Sequence, residues 1–279
     1  MPNKYLSLLR GNLENGLIDL HIHTCFSDGL LSPEDIVSIC NSQNLNYFSI
    51  TDHNTVAGIK AYRAMLDLPA FIPGIEISTD FNGTEFHILG YHINIDSPSL
   101  SHVLNTVNKV RLKSNLQLVS ALQRLGITLQ VKTNDLLSRK RIALAVQKIM
   151  PQLSMNTIIA ELLNYQRYNI PKPQKPAFDE IVDVIHDSKG IAVLAHPMLY
   201  ERKAMLSCLE TKRLDGIECF HPKQSNDDRY FLCNLAKKYD LLITGGSDFH
   251  SPNDSCRIGQ FAQDRPLYVS CFIESGDAS

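Results

Sequence analysis

Short apolar runs alternate with amphipathic segments over most of this 279-residue chain. The pattern predicts strands at 17–23, 46–51, 70–77, 85–91, 191–195, 215–219 and 241–245. Helices are expected in most of the gaps, and two have clear start signals, at Ser32 followed by Pro33 and at Ser225. This alternation is typical of βα units around a parallel sheet. We therefore expect an α/β fold, with a length that suits one α/β barrel or two ordinary domains.

Residues 98 to about 170 break the alternation. Apolar residues recur at helical spacing in VLNTVNKVRLKSNLQLVSALQRL and RIALAVQKIM, and NIPKPQKP then reads as an extended connector. Residues 101–175 hold twelve basic and two acidic side chains in a chain whose net charge is −2. We therefore expect a barrel formed by 1–97 and 176–279 and a basic helical insertion at 98–175. The insertion would bind an anionic substrate as a lid, or would merely be a solvated Lys-rich surface.

The sequence gives no sign of a membrane partner. No run of about 18 apolar residues is present. The first residues, MPNKYLSLLRGNLENG, contain charges and Asn where a secretory signal needs an unbroken apolar stretch. We therefore expect a cytoplasmic protein.

Imidazoles and carboxylates recur at the predicted strand ends. They are His21, His23, Asp28, His53, Glu76, His87, His196, Asp248 and His250. Residues two apart on a strand face the same side, so His21 and His23 point together. Each histidine alone could be structural, but nine donors at the edge that hosts barrel active sites predict a metal centre. Nine exceed the needs of one ion, so we expect two or three divalent cations, with Zn²⁺, Mn²⁺ and Fe²⁺ all suited to these donors.

The motifs HIHTCFSDG, ITDHNT, GIEIS, FHILGY, LAHP and GGSDFH resemble those of the PHP family of metal-dependent phosphoesterases (polymerase and histidinol phosphatase domains). The similarity covers nearly the whole chain, although Asn54 stands where the family often has Asp. The resemblance implies a distorted (β/α)7 barrel of the PHP type with a small helical insertion domain and a trinuclear centre. It implies three sites, formed by His21, His23, Glu76 and Asp248, by Glu76 with His87 and His196, and by Asp28, His53 and His250.

Within that family, LAHP, LDGIECFHPKQS, GGSDFH and SRKRIALA are most similar to one branch. Its members remove the 3′-phosphate of nucleoside 3′,5′-bisphosphates or trim RNA and oligonucleotides from the 5′ end. We therefore expect a phosphohydrolase in which a metal-bridging hydroxide attacks phosphorus, with Mn²⁺ ahead of Fe²⁺ or Zn²⁺. The substrate would be a phosphorylated small molecule or a short nucleic acid. The alternatives are a PHP phosphatase for another metabolite, such as histidinol phosphate, and a catalytically silent metal-binding regulatory module.

Two further residues are predicted to be catalytic. His221, in ECFHPKQS, follows a strand end, where it would contact the scissile phosphate or protonate the leaving hydroxyl. Asp52 would orient the neighbouring His53 through a hydrogen bond, or would only cap the next helix.

Arg139 and Arg141 begin a predicted helix in SRKRIALA, where backbone donors and guanidinium groups together favour a phosphate. If they hold a second, nonreacting phosphate, Arg139→Ala or Arg141→Ala should raise KM for a nucleoside bisphosphate. A charge-assisted hydrogen bond contributes about 1.5–3 kcal/mol, so the increase should be roughly 10- to 100-fold. Steady-state kinetics with a small chromogenic phosphoester provide the control. Equal increases for both substrates would contradict the prediction.

Overall fold

The computed structural model describes residues 18–68, 70–131, 137–253 and 255–260 and shows a mixed α/β fold. Its strands are β1 (Ile18–Ile22), β2 (Tyr47–Ile50), β3 (Gly74–Phe81), β4 (Thr84–Tyr91), β5 (Ile191–Leu194), β6 (Gly216–Phe220) and β7 (Leu242–Gly245). Its helices are α1 (Pro33–Ser42), α2 (Ala57–Ala61), α3 (Pro98–Arg124), α4 (Arg139–Ile149), α5 (Phe178–Asp187), α6 (Arg202–Glu210) and α7 (Asn226–Tyr239). Shorter helical turns lie at Arg63–Asp67, Met155–Thr157, Ile158–Leu162, Gln166–Tyr168 and Pro197–Leu199. All the predicted strands are present, and only β3 is displaced by more than one residue, since it covers Gly74–Phe81 where 70–77 is predicted.

The strands form two sheets. β1 pairs in parallel with β2, and the second sheet has the order β3-β4-β5-β6-β7. Isolated bridges join Ile22 to Phe249, just past β7, and His53, just past β2, to Glu76 on β3. A closed barrel is not found among the strands of the described ranges, so the coarser α/β class is what the structure shows.

The expectation of an all-parallel arrangement is wrong for β4, which runs antiparallel to both β3 and β5. Asn82 and Gly83 connect β3 to β4 with φ angles of 52° and 82°. Two consecutive left-handed residues make the tight turn of a two-residue hairpin, and Asn-Gly is the dipeptide that favours it. The hairpin pairs Ser78 with His87, so the early part of β4 lies beside the later part of β3.

The helix starts at Ser32 and Ser225 are confirmed. Each serine side chain accepts a hydrogen bond from a backbone N–H three residues on, at Asp35 and Asp228. Each aspartate in turn accepts one from the serine backbone, which completes a capping box. The inward faces of the helices are apolar; α5, for example, buries Ile181, Val182 and Ile185.

The chain divides into two compact units, Met1–Leu100 with Pro176–Ser279 and Ser101–Lys175. All the strands of the described ranges lie in the first unit. The second has a core of its own that includes Leu118, Leu122, Ile142, Val146, Ile158 and Leu163. The proposed role of the second unit as a lid stays a prediction. Of the helices in the described part of the chain, none has the length and apolar character needed to cross a membrane.

The hairpin turn offers a test of how β4 is held. A Cβ at Gly83 would meet no atom within 4 Å, so Gly83→Ala introduces only the cost of a left-handed backbone. That cost is about 1–2 kcal/mol for an L-residue, and we expect a similar loss in the free energy of unfolding by urea denaturation. Gly83→Asn should lose less, because Asn tolerates this conformation better. Equal stability of the Ala variant and the wild type would contradict the turn assignment.

Candidate metal centre

The strand ends of the first unit bring the predicted donors to one place. β1 carries the fully buried His21, and His23 follows one residue beyond the strand. The backbone after β7 passes close to β1, since a Cβ on Gly246 would lie 2.4 Å from the Cβ of His21. Glycine at 246 thus lets Asp248 and His250 approach the histidines of β1.

Glu76 is the centre of the cluster. Its side chain on β3 is buried, and its carboxylate faces five imidazole rings. Oε2 lies 3.3 Å from His21 Nε2, 3.3 Å from His23 Nε2 and 3.0 Å from His53 Nδ1. Oε1 lies 2.8 Å from His87 Nδ1 and 3.0 Å from His196 Nε2. One carboxylate thus connects donors from β1, β2, β4 and β5 or the residues that follow them.

Two aspartates complete the cluster. Asp248 Oδ1 lies 3.2 Å from His23 Nε2, and Asp248 Oδ2 lies 3.2 Å from His221 Nε2. Asp28 Oδ1 lies 3.2 Å from His250 Nε2, and Asp28 Oδ2 lies 3.9 Å from His53 Nε2. The structure therefore brings all nine donors proposed from the sequence into one connected group.

Three overlapping sets of donors could each hold a metal ion. Within each set, one ligand atom per residue lies within 4.8 Å of every other: His23, Asp28, His53 and His250; His21, His23 and Glu76; and His53, Glu76 and His87. The sets differ from the pairing implied by the family resemblance, because His23 and His53 each belong to two of them.

Four of the donor atoms also fit a cation because their hydrogen-bonding capacity is not used. Within the described part of the chain, His21 Nε2, His23 Nε2, His53 Nδ1 and Glu76 Oε2 are buried and accept or donate no hydrogen bond. Buried polar atoms are normally satisfied, and these four converge on one another at 3.0–3.3 Å. A divalent ion with imidazole and carboxylate ligands would satisfy them together.

The electrostatics of the cluster favour positive charge. Burial alone would raise the pKa of Glu76, but His53, His87 and His21 hold that pKa well below its usual range. Burial alone would lower the pKa of His23, yet Asp248 and Glu76 raise it to about 10. The carboxylates outweigh burial at His21, His23 and His87, whose pKa values are raised, whereas burial prevails at His196 and His250, whose pKa values are lowered.

Two of the donors depend on strained backbone. His196, immediately before Pro197, has a φ of 29°, and Asp248 has a φ of 50°. Non-glycine residues seldom adopt positive φ, and they keep it only where the surrounding structure fixes it. At both positions the turn follows directly on a strand of the sheet and directs the side chain into the cluster.

The side chain of Asp52 makes other contacts than those expected from the sequence. Its carboxylate accepts hydrogen bonds from Thr24 N at 2.8 Å, Thr24 Oγ1 at 2.6 Å and Ser27 Oγ at 2.5 Å. It therefore holds the loop that leads to Asp28, and its oxygens bond to Thr24 and Ser27 where a bond to His53 was expected. Asp52 does not cap helix α2 either, because that helix follows Val56 without a side-chain cap. A catalytic role for Asp52 stays a prediction.

Both ring nitrogens of His221 have polar partners. Its Nδ1 accepts the backbone N–H of Lys223 at 3.2 Å. A neutral ring with an accepting Nδ1 carries its proton on Nε2, the atom that faces Asp248 Oδ2 at 3.2 Å. The side chain is buried beside the rings of His21 and His196.

Two residues of the site were missed by sequence reasoning. Glu218, on β6, accepts a hydrogen bond from His21 Nδ1 at 2.9 Å, and the hydroxyl of Tyr200 lies 3.1 Å from His196 Nδ1. The signal for Glu218 was available, because a single acid in the apolar strand GIECF needs a buried partner. We find no comparable signal for Tyr200, which lies in an irregular turn.

Arg139 and Arg141 lie in the first turn of α4, in the second unit. Ser138 caps this helix by accepting the N–H of Arg141 at 3.2 Å. Arg139 Nη2 donates to the carbonyl of Ile159 at 3.0 Å, and its guanidinium lies 5.2 Å from the centre of the Tyr165 ring. Arg139→Ala would also remove these contacts, so the KM of that variant is interpreted together with its stability, and phosphate binding by both arginines stays a prediction.

Comparison with known proteins agrees with the motifs. The family model of the PHP domain matches residues 19–193. The 5′-3′ exoribonuclease Rnm of Salmonella typhimurium is 31% identical over 92% of this chain and 92% of its own length. The 3′,5′-nucleoside bisphosphate phosphatase of Chromobacterium violaceum is 27% identical over 89% of this chain and 92% of its own length.

A solved structure shows the same fold. An amidohydrolase from Chromobacterium violaceum with bound sulfate has a TM-score of 0.75 at 23% identity, over 90% of this chain and 96% of that chain. The family model spans more than half of the chain, and the likeness to the exoribonuclease runs over nearly all of it. The chain belongs to the PHP domain family.

Proposed function

We propose that this chain is a metal-dependent phosphohydrolase that removes phosphate from nucleoside 3′,5′-bisphosphates or trims RNA and oligonucleotides from the 5′ end. The observation that carries the proposal is the buried Glu76 carboxylate with five imidazole nitrogens within 3.3 Å. Asp28 and Asp248 add negative charge at its edge. Such a donor set suits two or three divalent cations, of which we propose Mn²⁺ first.

The ligands would be the nine residues of the cluster: His21, His23, Asp28, His53, Glu76, His87, His196, Asp248 and His250. When bound, divalent ions would supply Lewis acidity toward phosphoryl oxygens and would lower the pKa of water. The protein holds the donors in place before any substrate arrives, because most lie on or soon after buried strands and Asp52 holds the loop that leads to Asp28. Such preorganised groups stabilise charge that develops in a transition state.

His221 acts as a hydrogen-bond donor in this proposal. Lys223 N–H and Asp248 fix the orientation of its ring, with the proton on Nε2. An N–H at that position can donate to a phosphoryl oxygen or to the leaving hydroxyl. Nearly complete burial keeps bulk water from competing for the proton.

Nucleotides fit better than a small metabolite such as histidinol phosphate. The names of the relatives describe action on RNA and on nucleoside bisphosphates. Both kinds of substrate carry more than one phosphate. Twelve basic side chains against two acidic ones in residues 101–175 would favour such polyanions. A silent regulatory module is disfavoured by the completeness of the donor set.

The finer fold assignment belongs with the proposal. The bridges from Ile22 to Phe249 and from His53 to Glu76 connect the two-stranded sheet to the five-stranded one on both sides. They support a distorted (β/α)7 barrel of the PHP type, in which few backbone hydrogen bonds join the two sheets at these two places.

The function is tested by incubating Mn²⁺-loaded protein with adenosine 3′,5′-bisphosphate and with a short 5′-phosphorylated RNA. We expect release of the 3′-phosphate or of 5′-terminal mononucleotides, identified by mass spectrometry. Glu76→Gln should abolish turnover and lower the bound metal measured by elemental analysis, since it removes the central charge. Glu180→Gln, at an exposed position in α5, is the control. Absence of turnover by the Mn²⁺-loaded wild type with both substrates would refute the proposed function. Wild-type metal content and turnover in a folded Glu76→Gln variant would refute the role assigned to the cluster.

His221→Asn separates hydrogen-bond donation to the substrate from metal binding. Loss of one preorganised donor to a transition state costs about 10²–10³-fold, so kcat should fall by that factor while the metal content stays at the wild-type value. His102→Asn, on an exposed position of α3, should leave both unchanged. The role assigned to His221 is wrong if kcat is retained, or if metal is lost in proportion to activity.

A further inference from the structure

Glu218 is a buried acid whose function lies outside the nine proposed ligands. It is the middle residue of β6, a strand with every residue buried, and its side chain has no exposed surface. A buried carboxylate is tolerated only where hydrogen bonds or charges offset the loss of water. The partners of Glu218 therefore indicate its role.

The first partner is the ring of His21. Glu218 Oε1 accepts a hydrogen bond from His21 Nδ1 at 2.9 Å. A neutral imidazole has one N–H, so this bond places the proton on Nδ1 and leaves the lone pair on Nε2. His21 Nε2 faces Glu76 Oε2 at 3.3 Å and Asp248 Oδ1 at 3.6 Å. The bond thus presents His21 in the form that can donate to a cation at the centre of the cluster.

The second partner is the backbone of His196. Glu218 Oε2 accepts its N–H at 2.6 Å, where the backbone has φ 29° and ψ 57°. On the other side of His196, the hydroxyl of Tyr200 lies 3.1 Å from Nδ1 and accepts the backbone N–H of His87 at 2.9 Å. Contacts at the backbone and at the ring together fix a conformation that His196 would otherwise seldom adopt.

Both oxygens of Glu218 are occupied by these bonds, so the carboxylate acts through other residues. We propose that Glu218 is a positioning residue of the metal centre, which selects the Nε2-donating tautomer of His21 and fixes the turn that presents His196. The inference rests on the proposed function, because it requires a metal at this cluster. A carboxylate behind a ligating histidine typically contributes 10- to 100-fold in metal affinity, roughly the effect expected here.

Glu218→Gln is a sharp probe because it keeps the size of the side chain. If its amide N–H₂ faces His21, then Nδ1 must accept and the proton moves to Nε2, the metal-facing atom. If the amide turns over, its N–H₂ faces the N–H of His196, and two donors meet. The first orientation reverses the bond to His21 and so blocks its metal-facing atom, and the second loses the bond to His196.

The measurement is the Mn²⁺ affinity of the full-length protein, from electron paramagnetic resonance titration of free Mn²⁺. We expect Glu218→Gln to bind Mn²⁺ about 10- to 100-fold more weakly than the wild type. Thr244→Val is the matched control, since Thr244 is buried on β7 directly opposite Glu218. That variant changes a buried side chain beside Glu218 without removing the carboxylate, and its Mn²⁺ affinity should equal that of the wild type.

A second measurement needs no variant. Long-range ¹H–¹⁵N NMR of the Zn²⁺-loaded wild type, with ¹⁵N-labelled histidine, should place the His21 proton on Nδ1. A proton on Nε2 would overturn the inference even if Glu218→Gln does not fold, and so would equal Mn²⁺ affinity of Glu218→Gln and the wild type. A wild type that binds neither Mn²⁺ nor Zn²⁺ would instead remove the proposed function, and this inference with it.

Discussion

The burial of the Glu76 carboxylate is the constraint on which the site and its surroundings depend. An ionised carboxylate in the interior is costly unless opposite charges and polar atoms surround it. Here five imidazoles do so, and they come from segments as distant in sequence as His21 and His196. Since side chains alternate between the two faces of a strand, a slip of one residue would remove a ring from the cluster. The correct strand register is therefore required for the geometry of the site.

The cluster is supported by a layer of polar contacts behind it. Asp52 fixes the loop that carries Asp28, and Glu218 bonds both to the ring of His21 and to the backbone of His196. These contacts are buried, so each is formed in a setting of low dielectric constant, where hydrogen bonds are strong and unsatisfied groups are costly. The strained turn at His196 is held by this layer, since Glu218 accepts its backbone N–H, which explains how a positive φ is maintained there.

The pattern of the sequence predicted the strands well, because short buried strands differ clearly from amphipathic helices in their periodicity. It was wrong about the direction of β4, although Asn82-Gly83 is a recognised hairpin signal. The error did not remove His87 from the predicted site. In an antiparallel β4, the early residues of the strand lie beside the later residues of β3, so His87 still meets Glu76.

The sequence by itself determined the donor types, their positions near strand ends and the motif series of the PHP domain family, since these depend on local spacing. Only the tertiary structure decided which atoms meet. It made Glu76 the common partner of five rings, directed Asp52 to Thr24 and Ser27, and placed Glu218 behind His21. Such contacts join residues up to 197 positions apart, and local periodicity contains no information on side-chain direction across that separation.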